Sequence, residues 1–249
     1  HIQRRADERL PTIRKIREML PLRTAALLSG MSRRSLRLHA RLLCTRSAML
    51  ERDKMIIMDI LELMKYRRSI RRYTDRQVSE EDLLKILEAG AYAPNAGGGQ
   101  RSRFVACQDR TLNEAIGKLN IARFDRSRLA GNFVSKEQPS IIDDPSIRSG
   151  FYGAPTVITI FGPKLFLYSV PDAFCAAENM VLEATALGLA SCILARGEET
   201  FDNPEGEKIL QSWNIPDTMV ARCFVILGYI DGDYPTYKPR KEGRFVIIK

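Results

Sequence analysis

Residues 171–190, PDAFCAAENMVLEATALGLA, limit what this chain can fold into more than any other segment. They read as a long helix that is apolar nearly all round. A helix of that kind is buried on every side. In a body of about 195 residues it belongs at the centre of a domain or at a subunit interface. No apolar run in the chain approaches the roughly 20 residues that a membrane span needs. GAPTVITIFG (153–162) carries the β-branched run of a buried strand, and ARCFVILGYI (221–230) reads as another.

The remaining elements interleave around that frame. MDILELMKY (58–66) reads as a helix with Ile60, Leu61 and Met64 on one stripe. Ser79 is an N-cap before EEDLLKILEAG, with acids in the first turn and Gly90 at the end. RFVACQ (103–108) reads as a strand, TLNEAIGKLNIA (111–122) as a helix and SCILA (191–195) as a short strand. PEGEKILQSW (204–213) is a short helix with Pro204 at its start. The C-terminal RFVIIK reads as a short apolar strand. Residues 123–150 are polar without a sustained period, and the expectation for them is a mobile excursion. The body is therefore mixed α and β, and 45% apolar with 28% charged residues is a soluble globular composition.

Charge and histidine exclude several functions. The 249 residues include 39 Lys+Arg and 30 Asp+Glu, a net charge of +9. Residues 1–54 hold 14 of those bases and 5 of the acids, which leaves 25 of each in 55–249. The body is neutral, so a general nucleic-acid-binding reading of it loses its electrostatic warrant. Both histidines, His1 and His39, lie in the first segment. That excludes a Ser-His-Asp triad, a Cys-His pair and a His-ligated metal from the body. Cys44, Cys107, Cys175, Cys192 and Cys223 form no Cys-x-x-Cys pair, so neither zinc nor a disulfide framework is implied. They read as free, mostly buried thiols of a reducing compartment. The expectation is a cytoplasmic protein whose body binds neither nucleic acid nor membrane.

Residues 1–54 are a different kind of sequence, with 12 arginines against 2 lysines and no acid between Glu18 and Glu51. One reading is an organellar targeting segment. Another is upstream or cloning-derived sequence ahead of a start at Met55 or Met58. A third is a basic amphipathic arm on membrane or nucleic acid. The expectation is that 1–54 stand outside the fold and that 55–249 form it.

Three segments could carry chemistry. Arg67, Arg68, Arg71 and Arg72 surround Ser69, and Lys238, Arg240, Lys241 and Arg244 form a second basic cluster near the C-terminus. Guanidinium forks suit phosphate oxygens, so the two clusters could converge on one phosphate. The alternative is a solvated basic face. APNAGGGQ (93–100) has glycines that let backbone approach a ligand, and Asn95 and Gln100 supply donors and acceptors. It fits neither GxxxxGK[ST] nor GxGxxG, and an ordinary turn reads equally well. LGLASCILARG (187–197) is a helix end running into a strand, a place where backbone groups meet ligands. Asp172 and Glu178 read as caps or interface polar groups.

Taken in order, RRSIRRY, APNAGGGQ-x-x-x-FV, GAPTVITI, DAFCAAENMVLEATALGLASC, LGYIDGDYP and KPRKEGR resemble the FMN-dependent nitroreductase family over nearly all of 58–249. The resemblance implies an α+β fold with a central, mixed but mainly antiparallel sheet flanked by helices. It implies an intertwined homodimer with FMN at the interface, and NADH or NADPH as electron donor. The acceptor would be a nitroaromatic, a quinone or a similar small oxidant. Specialised relatives of the same fold include dehydrogenases, dehalogenases and flavin-fragmenting enzymes, and a non-catalytic flavin-binding protein is a further alternative. Arg67, Arg68, Ser69 and Arg71 match the RRSxR that holds the FMN phosphate and ribityl chain and reaches the pyrimidine edge. Arg240 and Lys241 match the C-terminal basic pair at the phosphate. Pro94, Asn95 and Ala96, with Gln100, match the loop that reaches the flavin of the other subunit. Leu194 and Ala195 match the segment whose backbone approaches flavin N5, so no side chain is required as acid or base. Asn95 stands where the family often has Ser, Arg101-Ser102 where it often has Pro-Trp, and Ala195 where it often has Gly. Phe124, Phe133, Phe151 and Tyr152 are candidate pocket aromatics, with core packing as the alternative.

Overall fold

The computed structural model describes residues 59–122, 124–125 and 133–249, all within the unit Met55–Lys249. The expectations for residues 1–54 lie outside the described residues, as do those for residue 123 and residues 126–132.

Two strands carry the longest β-branched and aromatic runs, and they pair at the middle of the sheet. These are β2 (Thr156–Pro163) and β4 (Met219–Gly228). Strand β1 (Arg103–Cys107) flanks β2, and β3 (Ala190–Leu194) flanks β4, giving the order β1-β2-β4-β3 with every pairing antiparallel. Among the described residues a parallel element enters only as an isolated bridge between Ser69 and Ser191. The sheet is thus antiparallel with one parallel touch, close to the mixed sheet expected.

Helices cover both faces. They are α1 (Ile60–Tyr66), α2 (Glu80–Ala91), α3 (Arg110–Ala122), α4 (Ser169–Ala186), α5 (Gly197–Phe201) and α6 (Pro204–Ser212). Alternation along β4 sends Cys223, Val225 and Leu227 to α2 and α4, and Phe224 and Ile226 to the opposite face. Because both faces are covered, β2 and β4 read as continuous apolar runs. The α4 face packs Ala173, Ala177, Met180, Val181 and Ala184 on the sheet. The other face is aromatic: Phe151 meets Phe224 edge-on at 4.9 Å, and Phe201 meets Trp213 at 6.0 Å.

Ser79 caps α2, its hydroxyl accepting the Asp82 N–H at 3.1 Å. Pro204 and the Asn203 cap start α6 in the same manner. Helix α4 packs one side on the sheet, while Val170, Pro171, Cys175 and Glu178 are exposed in the single chain. The helix read at 58–66 is found as α1, and its stripe of Ile60, Leu61 and Met64 is exposed in the single chain. Other expectations need correction. The C-terminal segment is not a strand: Phe245 and Ile248 are 88% exposed, and among the described residues no strand pairs with them. Residues 133–150 are not a loose excursion. They form no helix or strand, but the Asp143 carboxylate takes N–H bonds from Val134, Ser135 and Ser140. These bonds tie the turn together.

Candidate functional site

The RRSIRRY segment is seated by its one aliphatic residue. Ile70 is 1% exposed and donates its N–H to Ser191 O of β3 at 2.9 Å. Beyond it, Tyr73 bridges Ile230, Thr74 N–H reaches Tyr229 O, and Asp231 N–H reaches Arg72 O. Residues 69–74 therefore run between β3 and the chain leaving β4, and the arginines on either side of Ile70 are held in place by backbone pairing.

Each arginine has a distinct setting. Arg67 faces Glu178 of α4 at 3.8 Å, a loose pair of half-exposed groups. Arg68 folds back on the end of α1 and donates to Lys65 O, Tyr66 O and Arg67 O, the carbonyls a helix terminus leaves over. Arg71 donates to Gln138 O at 3.3 Å and lies over the Tyr152 ring at 6.0 Å. Arg68 and Arg71 thus direct these bonds at neutral carbonyls and π-faces, so their positive charge is not cancelled by a hydrogen-bonded carboxylate. Two buried polar atoms here have no partner: Arg68 Nε and Ser191 Oγ.

The C-terminal segment is brought to this place by aromatics. Tyr234 stacks on Tyr66 at 4.9 Å and donates its hydroxyl to Tyr66 O at 3.1 Å. Burial, then the neighbouring Tyr66, push the Tyr234 phenol up to about 12, so it remains a protonated donor. Arg68 lies over the Tyr237 ring at 5.6 Å, and Lys238 Nζ donates to Phe133 O at 3.0 Å. Arg240 and Lys241 follow directly and are exposed. The segments that bear the two basic clusters are therefore neighbours.

Two candidates occupy the end of β3. Leu194 pairs with Phe224, and Ala195 O accepts from Asn120 Nδ2 at 3.4 Å. Arg196 follows with φ +65°, in the left-handed region. Its guanidinium donates to Asn120 Oδ1 at 2.8 Å and covers the Phe124 ring at 4.3 Å. Ser191 and Leu194 are three residues apart on one strand, about 10 Å, so the arginine segment and Leu194-Ala195 share one edge. Cys192 lies beneath them, its thiol pushed up by burial.

The glycine loop is built onto α4 instead. Asn95 Oδ1 accepts the Gln100 N–H at 2.8 Å, closing a turn in which Gly97 and Gly98 take φ of +60° and +61°. Ala96 N–H donates to Asp172 of α4 at 3.0 Å. Asp172 therefore holds the loop rather than standing free. The bonds of Asn95, Ala96 and Gln100 run within the loop and to α4, not to the arginine segment. A small cavity of ≈ 130 Å³ lies beside Asn95, Gln100 and Asp172.

The four aromatics separate. Tyr152 is half-buried between Arg71 and the end of β3, and Phe124 lies under Arg196. Phe151 is core: it is 1% exposed and packs on Phe224. Phe133 is 62% exposed and offers its carbonyl to Lys238. Three site residues had no sequence signal: Gln138, Asn120 and Arg196. Gln138 lies in the stretch without period, and the other two act through contacts more than 70 residues away in the chain.

Comparison with known proteins now bears on this geometry. The family model described as "Nitroreductase family" matches residues 64–229. A protein of Archaeoglobus fulgidus, provisionally named NADH dehydrogenase/NAD(P)H nitroreductase, is 31% identical over 176 residues, covering 69% of this chain and 85% of its own. An iodotyrosine deiodinase of Thermotoga neapolitana is 24% identical over 186 residues, covering 74% of this chain and 94% of its own. The crystal structure of a nitroreductase with bound FMN from Bacteroides fragilis superposes with a TM-score of 0.64 at 32% identity. That match covers 77% of this chain and all of the other.

Proposed function

The chain belongs to the nitroreductase family and is an FMN-dependent oxidoreductase, and on that premise we propose that it passes hydride from NADH or NADPH to a nitroaromatic, a quinone or a similar small acceptor. The observation that carries the reading is the meeting of two arginine-bearing segments at one edge of the sheet. Arg68 and Arg71 are turned to carbonyls there, and Arg68 Nε and Ser191 Oγ lack partners. Unneutralised guanidinium groups with buried, unused polar atoms fit a phosphate-bearing, hydrogen-bonding cofactor.

In this reading Arg67, Arg68 and Ser69, with Arg240 and Lys241, hold the phosphate and ribityl chain, and Arg71 reaches the polar edge of the ring. The backbone at Leu194 and Ala195 faces the redox-active part. FMN, when bound, supplies the hydride chemistry. The chain's own residues bind it, orient it and set the charge around it. A cation such as Arg71 favours negative charge developing nearby. No histidine is needed, which agrees with a body that has none.

The homodimer belongs to the same reading. The exposed side of α4, the α1 residues Ile60, Leu61 and Met64, and the apolar tail from Phe245 to Ile248 are faces a second copy would cover. The loop at Pro94, Asn95, Ala96 and Gln100 would then serve the partner's flavin. In the same reading residues 55–249 form the FMN-binding domain.

The test is an anaerobic titration of the flavin-loaded protein with NADH and with NADPH. Bleaching of the flavin, and recovery on adding a quinone or nitroaromatic, is the expected result. A flavin that neither donor bleaches rules the reductase reading out. The Thermotoga neapolitana relative supports a second reading, a dehalogenase. Recovery of the flavin with a halogenated phenol, and not with quinones or nitroaromatics, would select it.

A further inference from the structure

We propose that Gln138 is a positioning residue that fixes Arg71, and the chain leading to Arg240 and Lys241, in a single arrangement for the cofactor. The inference rests on the flavin reading above. Gln138 is fully buried. Its Oε1 accepts two backbone N–H groups, from Arg71 at 2.8 Å and Arg72 at 2.7 Å. Its Nε2 donates to Asp231 O at 3.2 Å and Asp233 O at 3.3 Å. Its own carbonyl accepts from the Arg71 guanidinium at 3.3 Å, and its N–H is held by Ser135 Oγ at 3.1 Å.

This set of partners requires a primary amide. Two acceptor sites and two donor protons are matched to two N–H groups and two carbonyls. A carboxylate could serve the first pair and would oppose the second. An apolar side chain would leave buried backbone groups unpaired. The four backbone groups come from two segments, residues 71–72 and residues 231–233. The first contains a candidate flavin cation, and the second starts the chain that ends in the C-terminal basic pair. Arg71 is held twice, by its own N–H and by its guanidinium, so both the base and the tip of the side chain are set by one residue. On the outer side Tyr234 and Tyr237 tie the C-terminal chain to Tyr66 and Arg68, and Lys238 ties it to Phe133. Gln138 ties residues 71–72 to residues 231–233 from within.

The test is a double-mutant cycle in the full chain, read as FMN affinity by fluorescence titration, with thermal melting of the FMN-free protein recorded alongside. Gln138→Ala is expected to weaken FMN binding about tenfold, the effect of losing one charge-assisted contact. Combined with Arg71→Ala, in which the Arg71 contact is already lost, the effect should fall short of the product of the two single losses. Combined with Arg67→Ala the two losses should multiply. A side chain that merely supports the fold would multiply with either. Unchanged affinity in Gln138→Ala, or full multiplication with Arg71→Ala, overturns the proposal. Should Gln138→Ala not fold, Gln138→Glu keeps the acceptor bonds to Arg71 and Arg72 and breaks those to Asp231 and Asp233. Its loss should then fail to multiply with that of Arg240→Ala, and full multiplication overturns the proposal. A wild-type chain that binds no FMN overturns the flavin reading and this inference together. FMN binding that is intact in both Gln138 variants overturns this inference alone.

Discussion

The core under α4 and the seam at the edge of β3 are equally well ordered by contacts, but of opposite kinds. Under α4 the contacts are apolar, non-directional and spread over many residues, from Val78 to Leu227. At the seam they are directional and few: Ile70 to Ser191, Gln138 to four backbone groups, Tyr234 to Tyr66. The core uses side chains to hold side chains. The seam uses side chains to hold backbone, and leaves guanidinium groups available. Stability should therefore belong to the core and cofactor affinity to the seam.

The largest separation should come from Met180→Ala. Met180 of α4 is fully buried in the core beneath that helix. The cavity should cost about 2–5 kcal/mol, seen as a lower denaturation midpoint. FMN affinity of the remaining folded protein should barely change. If affinity fell in proportion to stability, the division between core and seam would be wrong.

Arg67→Ala and Arg240→Ala should do the reverse. In the proposed site each removes a charge-assisted phosphate contact of about 1.5–3 kcal/mol, so flavin should be lost on dialysis while the melting temperature of the FMN-free protein moves little. Both variants retaining full flavin would dissolve the two-cluster site. Ser79→Ala sharpens the core side at lower cost. Losing the cap of α2 should take about 1 kcal/mol from stability, with flavin retained. A flavin-poor Ser79→Ala protein would show that α2 also supports the seam.

The smallest effect is expected from Asp143. Burial pushes its carboxyl up, but the bonds from Ser140, Val134 and Ser135 outweigh burial and hold it below the usual carboxylate range. A depressed value in the folded chain means that the stabilisation is present above the ordinary pKa of about 3.9. It is lost as pH falls through the lower folded value. Wild type should show a small acid-side loss of melting temperature below about pH 4 that Asp143→Asn lacks. Identical acid limbs would mean that the turn contributes nothing to stability.

Much of the core was legible because its signals are local. The apolar helix at 171–190 is found at Ser169–Ala186, and the β-branched runs became β2 and β4. Ser79 and Pro204 start helices where their chemistry requires. The arginine segment was visible as a cluster, yet its seating on Ser191 through Ile70 is a tertiary fact. Phe151 could not be assigned from sequence, because an aromatic reads alike in a pocket and in a core. Gln138 gave no signal, since its partners are backbone groups at 71–72 and 231–233. The C-terminal apolar run reads as a strand because the pattern shows β character but not a partner, and the described residues supply none.

In the proposed site the basic seam holds a flavin by its phosphate. The most direct measurement is a parallel titration of the full chain with FMN and with riboflavin, which lacks the phosphate. The account predicts that FMN binds about a hundredfold more tightly or better, the sum of two charge-assisted contacts. Equal affinities for the two flavins would contradict it.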